Sequence, residues 1–564
     1  MFKFAPLTEV FAQINPEHPL AFDTETVGWY GRIKLAQFYQ RGWEYVLVTQ
    51  NPNPEQLYVE LAKRNDMNIV MQNASYDVST IQRNSGARFI PKTFSDTFLL
   101  SRLAYPHLEK FKLDSLFQEI LGINPYSEHG LVKSDMQKSD WKATQLTREQ
   151  VLYAAIDVKH LLDLYDKVKH CEETLSYKLD MLALRKALDF QCNGFPVDRN
   201  RVEEQRKKNE ARIAEIALPI NANSYKQVRP YIDSGLSDDQ GLAFLSLKAP
   251  TEIQRNKAKA VRETRGLLKE ISFMKNWDTH DGHIYGVFSP SARSGRFTCR
   301  EDNLQQLPRK LKHCFGYETN GEFVFGYSDY SQLELRGIGA ITNEQVIYNL
   351  YSRGEDLHNY TAKSLFGPNY TKEHRQISKQ CNFNLLYGGQ ATMLQSIILK
   401  EADIWVEEED CRRTRRKWLR TFPALAQWQE NGVRAHNRGS LGYTPLGRPY
   451  KSHLMTDHLN IQNQGFGAEV AKLAMHYMGN DLKPFDAEII NFMHDAYAWR
   501  APNDPEAYQG AAKVVGNSMK EAWIECVQNV KCKDMPMPVE VNVGFNWGDI
   551  ENDKEGAIIY SYKV

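Results

Sequence analysis

The stretch RQISKQCNFNLLYGG, residues 375–389, places Arg375, Lys379, Phe383 and Tyr387 at every fourth position. In a helix a step of four residues advances about 400°, so the four side chains form one slowly drifting stripe. The spacing therefore predicts a helix, and Gly388 and Gly389 suit its stop. The stripe is cationic at its N-terminal end and aromatic at its C-terminal end. It can grip a triphosphate at one end and stack on a sugar and base at the other. A solvated amphipathic helix is the plainer reading of the same spacing, so the neighbouring sequence has to decide.

The neighbours are acids at the ends of strand-like runs. EFVFGYSDY (322–330) reads as a strand that delivers Asp329 to its end, and EIINFMHDAYAWR (488–500) reads as an apolar hairpin with Asp495 at its tip. Two such aspartates can hold two Mg²⁺ ions between a hydroxyl and an α-phosphate. Near the N-terminus, FDTET (22–26) in an extended chain puts Asp23 and Glu25 on one face and Phe22, Thr24 and Thr26 on the other. Their repulsion calls for a hard cation, Mg²⁺ or Mn²⁺. Asp77 ends NASYD, and YAAID spaces Tyr153 and Asp157 four apart, on one helix face. Four carboxylates are about what two ions need to hydrolyse a phosphodiester. Ser95 or Asp96, before the apolar run TFLLSRL, is expected to cap a helix.

Composition sets the frame. With 564 residues, 42% of them hydrophobic, the chain can bury more than one core. Seventy Lys and Arg balance seventy Asp and Glu, so any nucleic-acid contact must come from local charge. Two basic runs stand out: residues 255–275, and CRRTRRKWLR (411–420) directly after the acidic EEED. Each is either a solvated helix face or a phosphate contact. The eight cysteines lack any Cys-x-x-Cys pair and are expected to be free thiols. No apolar run is long enough to span a membrane and no secretory signal is evident, so a cytoplasmic location is expected.

The first set of acids, D-x-E, N-x-x-x-D and Y-x-x-x-D, resembles the 3′–5′ exonucleases of the DEDD class with a tyrosine in the third motif. The resemblance implies an RNase H-like fold, with Asp23, Glu25, Asp77 and Asp157 as metal ligands and Tyr153 positioning the nucleophilic water. The second half resembles motifs A, B and C of family A DNA polymerases. SGRFTCREDNLQQLP, EDLHNYTAKSLFG, HLNIQNQGFGAEVAK and VGFNWGD are similar to further segments of that family. The resemblance implies that Asp329 and Asp495 hold the catalytic metals. Arg375, Lys379 and His358 would bind the incoming triphosphate, with Lys379 also placed to protonate pyrophosphate. Phe383 and Tyr387 would line the nucleotide pocket, and Glu334 would be the steric gate against a ribose 2′-OH. Arg296, Asn303, Gln305, Asn460, Gln464 and His494 would contact DNA.

The implied architecture is α/β followed by mixed α+β: an exonuclease domain at 1–175 and a right-hand polymerase domain at 176–564. Within the latter, a thumb is expected at about 176–290, a palm at 291–340 and 456–564, and fingers at 341–455. Two Mg²⁺ ions per site are implied, with Mn²⁺ a substitute. The expected partners are primer-template DNA and deoxynucleoside triphosphates, with a helicase-primase or single-strand binding protein as helpers. A monomeric phage replicase without a 5′ nuclease domain, acting in the host cytoplasm, is the expected type. One position departs from the pattern: Ala496 follows His494 and Asp495 where most members carry a glutamate. Since two aspartates suffice for a two-metal site, activity is expected to survive. A nuclease with a decayed polymerase half, a single-subunit RNA polymerase and a non-catalytic binding protein are the rival readings. The intact motif residues, Glu334 and the paired acid sets weigh against them.

Overall fold

Short apolar runs in the N-terminal part pair into a mixed sheet. Its strands are β1 (Phe2–Phe4), β2 (Leu20–Thr26), β3 (Ile33–Tyr39), β4 (Val46–Gln50), β5 (Ile69–Met71) and β6 (Phe94–Asp96), in the order β1-β4-β3-β2-β5-β6. The β2–β3 and β3–β4 pairs are antiparallel, the others parallel. In β2, Phe22, Thr24 and Thr26 are buried while Asp23 and Glu25 stay partly accessible, as the alternation requires. Helix α1 (Ala74–Ser85) enters from Asn73, whose φ of 63° is left-handed. Asp96 fixes that turn: its carboxylate accepts from the backbone N–H groups of Asn73, Ala74 and Phe98, each at 2.9 Å. It thus caps the helix that follows it, as expected, and holds a second helix start as well.

Helix α2 (Arg148–Lys159) opens with a Thr147/Gln150 capping box and buries Val151, Ala154, Ala155 and Ile156 against the sheet. Helix α3 (Leu175–Phe190) adds Tyr177, Met181, Leu184 and Leu188 to the same core. A hairpin of β7 (Gly286–Ser289) and β8 (Thr298–Glu301) belongs to this compact unit, which consists of Met1–Asn193, Tyr285–Glu301 and Leu446–Lys451. The computed structural model describes residues 1–275, 277, 281–319 and 321–564. Part of the helical stretch expected over 176–290, residues 276 and 278–280, lies outside the described residues.

The second unit comprises Gly194–Ile284, Asp302–Pro445 and Ser452–Val564. Its antiparallel sheet is built from β9 (Phe323–Tyr330), β10 (Glu488–Met493), β11 (Ala496–Pro502), β12 (Val539–Gly544) and β13 (Ile558–Lys563), ordered β10-β11-β9-β12-β13. The helices that concern the site are α4 (Glu252–Met274), α5 (Leu333–Thr342), α6 (Leu357–Phe366), α7 (Lys372–Leu386), α8 (Glu408–Thr421), α9 (Met455–Asp481) and α10 (Pro505–Val527), with the short α11 (Trp547–Glu551) near the end. Among the described residues all eight cysteines are free thiols, and no helix is long and apolar enough to cross a membrane.

The central strand of this sheet depends on one missing side chain. Gly326 lies opposite Trp499, and a Cβ there would sit 2.0 Å from the indole ring. The buried indole donates to Ser328 Oγ at 3.0 Å, one residue before Asp329. Gly326→Ala therefore forces the indole off this seat. We expect the variant to be destabilised by about 1–3 kcal/mol, read as a lower urea midpoint for the second unit.

Candidate functional site: two carboxylate centres

In the first unit, β2 and α2 bring three acids together. One carboxylate oxygen each of Asp23, Glu25 and Asp157 lies within 4.8 Å of the others. The fourth expected acid, Asp77, is buried on α1, where its Oδ1 accepts from the Thr24 backbone N–H at 2.9 Å and from Thr24 Oγ1 at 2.7 Å. Its Oδ2 is buried without a hydrogen-bond partner among the described residues. An orphaned buried carboxylate oxygen beside three convergent ones fits a hard divalent cation. Burial first, then the neighbouring carboxylates, pushes the Asp23 and Glu25 carboxyls well above their usual range, and burial pushes Asp77 up to about 7.

Asp157 is held differently. Lys133 donates to both its oxygens at 2.9 Å, and the Tyr126 hydroxyl donates to Oδ1. Tyr153, one helical turn before Asp157, is 3% exposed and packs against Tyr126 and Trp141. Neither Lys133 nor Tyr126 stands out in the sequence. Each lies on a short helix, Lys133–Gln137 and Pro125–Glu128, whose place beside α2 depends on tertiary packing. Removing one partner of such a buried ion pair costs about 3–5 kcal/mol, because the other charge is left uncompensated.

In the second unit the antiparallel register sets the geometry. Ser328 on β9 pairs with Tyr497 on β11, which carries Asp329 to the level of Ala496 and of the turn that holds Asp495. In that turn His494 is exposed and left-handed, with φ 62°, a conformation that costs a non-glycine residue energy and clusters at functional sites. Burial, then the Asp495 charge, raises the Asp329 carboxyl to about 8. Glu551 on α11 adds to the rise, and Lys312 opposes it. These last two residues form an ion pair at 2.5 Å, with the Lys312 ammonium 4.2 Å from the Trp547 ring centroid. Both were missed in the sequence, where a lysine and a glutamate far apart carry no pattern.

The stripe helix forms as expected. α7 opens with a Thr371/His374 capping box and stops at Tyr387, followed by Gly388 at φ 78°. Arg375 donates to Asn359 Oδ1 at 2.7 Å and to Asp356 Oδ2 at 3.2 Å, while Lys379 and Phe383 are exposed. His358 is buried behind Phe383, its Nδ1 accepting from Asn382, and burial lowers it to about 4, so it is neutral at physiological pH. The Tyr387 hydroxyl donates to Glu334 Oε2 at 3.0 Å. Asn463 on α9 closes the arrangement, donating to the Tyr387 oxygen at 2.9 Å and to the Glu334 carbonyl at 2.8 Å. Asn463 escaped the sequence reading, which took its neighbours on α9, Asn460 and Gln464, instead. Asn303, Gln305, Asn460, Gln464 and His494 all belong to this unit, and Arg296 to the first.

The basic runs resolve differently from each other. On α8, Arg412 pairs with Glu408, Arg413 with Asp410 and Arg416 with Glu409, so the acidic EEED neutralises a solvated face. On α4, Arg255, Lys257 and Arg265 donate to backbone carbonyls of the surrounding helical segment, and Arg262 pairs with Asp403.

Acids crowded at a sheet of the first unit, and a second acid pair beside a cationic and aromatic helix, are the equipment of a nucleotidyl-transfer enzyme with an associated nuclease. The comparisons agree. Residues 197–549 match the model for DNA polymerase family A, and residues 4–170 match that for a 3′–5′ exonuclease. The chain belongs to DNA polymerase family A and carries a 3′–5′ exonuclease domain ahead of its polymerase domain.

DNA polymerase I of Aquifex aeolicus is 27% identical over 94% of this chain and 95% of its own. A thermostable DNA polymerase I of Thermus filiformis is 24% identical over 68% of this chain and 47% of its own, and DNA polymerase I of Mycobacterium leprae is 25% identical over 80% and 54%. The chain spans about half the length of these last two. In fold it is similar to the POL domain of Pol1 from M. smegmatis, solved with DNA primer-template and dNTP, at a TM-score of 0.74 and 19% identity over 95% of this chain and 96% of that one.

The raised Asp329 carboxyl has a measurable consequence. Without a cation the Asp329–Asp495 pair retains a proton at neutral pH, which a divalent ion bound there would have to displace. Apparent Mg²⁺ affinity at this site should rise with pH up to about 8. Below that it should fall by up to about tenfold per unit for one displaced proton, and calorimetric binding heats at pH 7 should depend on the buffer's ionisation enthalpy.

Proposed function

We propose that the chain carries out primer-dependent, template-directed DNA synthesis at Asp329 and Asp495 and removes primer 3′ ends at Asp23, Glu25, Asp77 and Asp157. The observation that carries the reading is the linked set on α5, α7 and α9, because Glu334, Tyr387 and Asn463 form one hydrogen-bonded wall beside the Lys379–Phe383 face. Bound divalent ions, two per centre in this reading, would activate the attacking oxygen and stabilise the leaving one. The chain's own residues do the rest. Arg375 and Lys379 grip the triphosphate, and Phe383 and Tyr387 stack on the sugar and base. Tyr387 holds Glu334 where a ribose 2′-OH would collide with it. In the exonuclease centre Tyr153 orients the attacking water. His358, neutral and buried, supports Phe383 from behind.

In the finer subdomain reading, about 176–290 is the thumb, 291–340 and 456–564 the palm and about 341–455 the fingers, with residues 176–193 and 285–301 packing in the first unit instead and the remaining α4 lysines tracking the duplex backbone. Arg296, Asn303, Gln305, Asn460, Gln464 and His494 face the primer-template. A replicative role in a phage is the finest part of the reading, the relatives above being bacterial.

Primer extension on a DNA template, run with and without deoxynucleotides, tests the two centres separately. Asp23→Ala should remove degradation by roughly 10³-fold and spare synthesis, and Asp329→Ala the reverse; loss of both activities from either change would refute two independent centres. Glu334→Ala should raise ribonucleotide incorporation relative to deoxynucleotide by roughly tenfold or more, scored by alkali-labile sites in the product. Ala496 is 4% exposed, so Ala496→Glu buries a third carboxylate beside two others. It should lower stability without raising the synthesis rate by orders of magnitude, in rapid-quench assays.

A further inference from the structure

The ammonium of Lys133 has all three of its N–H donors engaged: two on the Asp157 oxygens at 2.9 Å and one on the Tyr126 hydroxyl oxygen at 3.0 Å. It also lies 4.8 Å from the Tyr126 ring centroid and 5.1 Å from that of Tyr153, and its side chain is 9% exposed. A lysine buried and satisfied this completely is a built part of the site, since a long cationic side chain otherwise keeps its head in water. Its partner carboxylate is one of the three whose oxygens converge within 4.8 Å. Asp77, by contrast, has no cationic partner among the described residues; Thr24 holds one of its oxygens and leaves the other without a hydrogen-bond partner among them.

We infer that Lys133 is a resident counter-ion of the exonuclease centre, which holds Asp157 in place in the metal-free protein and sets the affinity with which divalent ions enter. This rests on the reading of Asp23, Glu25 and Asp157 as metal ligands. A cation bound to both Asp157 oxygens repels a second cation approaching the same carboxylate, and at a few ångströms that repulsion is only partly screened. The incoming ion therefore has to share Asp157 or shift Lys133. The lysine is a positioning residue: it holds Asp157 beside Asp23 and Glu25 at low metal concentration and makes the nuclease demand more metal than its ligand set alone would.

The test is Mn²⁺ binding to the full-length chain, followed by the electron paramagnetic resonance signal of the free ion. Asp329→Asn and Asp495→Asn are placed in the background to silence the second centre. Lys133→Met and Lys133→Gln should each tighten the exonuclease-centre Mn²⁺ dissociation constant by about tenfold, and Lys133→Arg should leave it within about twofold. The metal-free Met and Gln variants should also melt lower than the parent, with the gap narrowing at saturating Mn²⁺. A merely structural loss would weaken binding, so the sign is diagnostic. Unchanged or weaker Mn²⁺ binding in both neutral variants would overturn the inference. Finding no Mn²⁺ that Asp23→Ala removes, in the parent or any variant, would instead overturn the metal-ligand reading beneath it.

Discussion

Repulsion between carboxylates that share a dry site is the constraint around which both units are organised. At each centre the acids are partly or wholly out of water, and burial with like charge pushes the Asp23, Glu25, Asp77 and Asp329 carboxyls upward. Left to a flexible chain, such groups would separate or remain protonated. A rigid sheet prevents the first, and a bound cation would prevent the second. Much of the surrounding detail serves that end: Thr24 against Asp77, Lys133 and Tyr126 against Asp157, and the Lys312–Glu551 pair near Asp329.

The same logic explains why the supporting contacts are so fully buried. Asp96 is 1% exposed and fixes the left-handed turn at Asn73 that opens the helix carrying Asp77. Trp499 lies flat over Gly326 and is hydrogen-bonded to Ser328, immediately before Asp329. In each case a residue next to a catalytic candidate is locked by packing that tolerates little change in volume. The nucleotide side is built the same way: three helices far apart in sequence meet at Tyr387, and one amide, Asn463, ties them together.

The helical excess of charge shows how local context overrides a tally. Both basic runs have comparable density, yet on α8 acids at i−4, i−3 and i−7 pair with Arg412, Arg413 and Arg416, whereas Arg415 and Lys417 there, like several α4 cations, donate to backbone carbonyls. A neutral total charge thus hides two different uses of arginine and lysine.

Wherever periodicity carried the information, the sequence was sufficient. The alternation in FDTET, the fourfold stripe ending in two glycines, the Tyr153–Asp157 spacing and the acids closing apolar runs are properties of strand and helix geometry, and each is found in the structure where that geometry places it. Asp96 as a helix cap was legible for the same reason. Lys133, Tyr126, Lys312, Glu551 and Asn463 were not: each acts on a partner 17 to 239 positions away. Their identities fit many surface positions equally well. Only the packing of short helices onto a finished sheet, which removes water and fixes which oxygen meets which nitrogen, decided that these polar groups belong to the two centres.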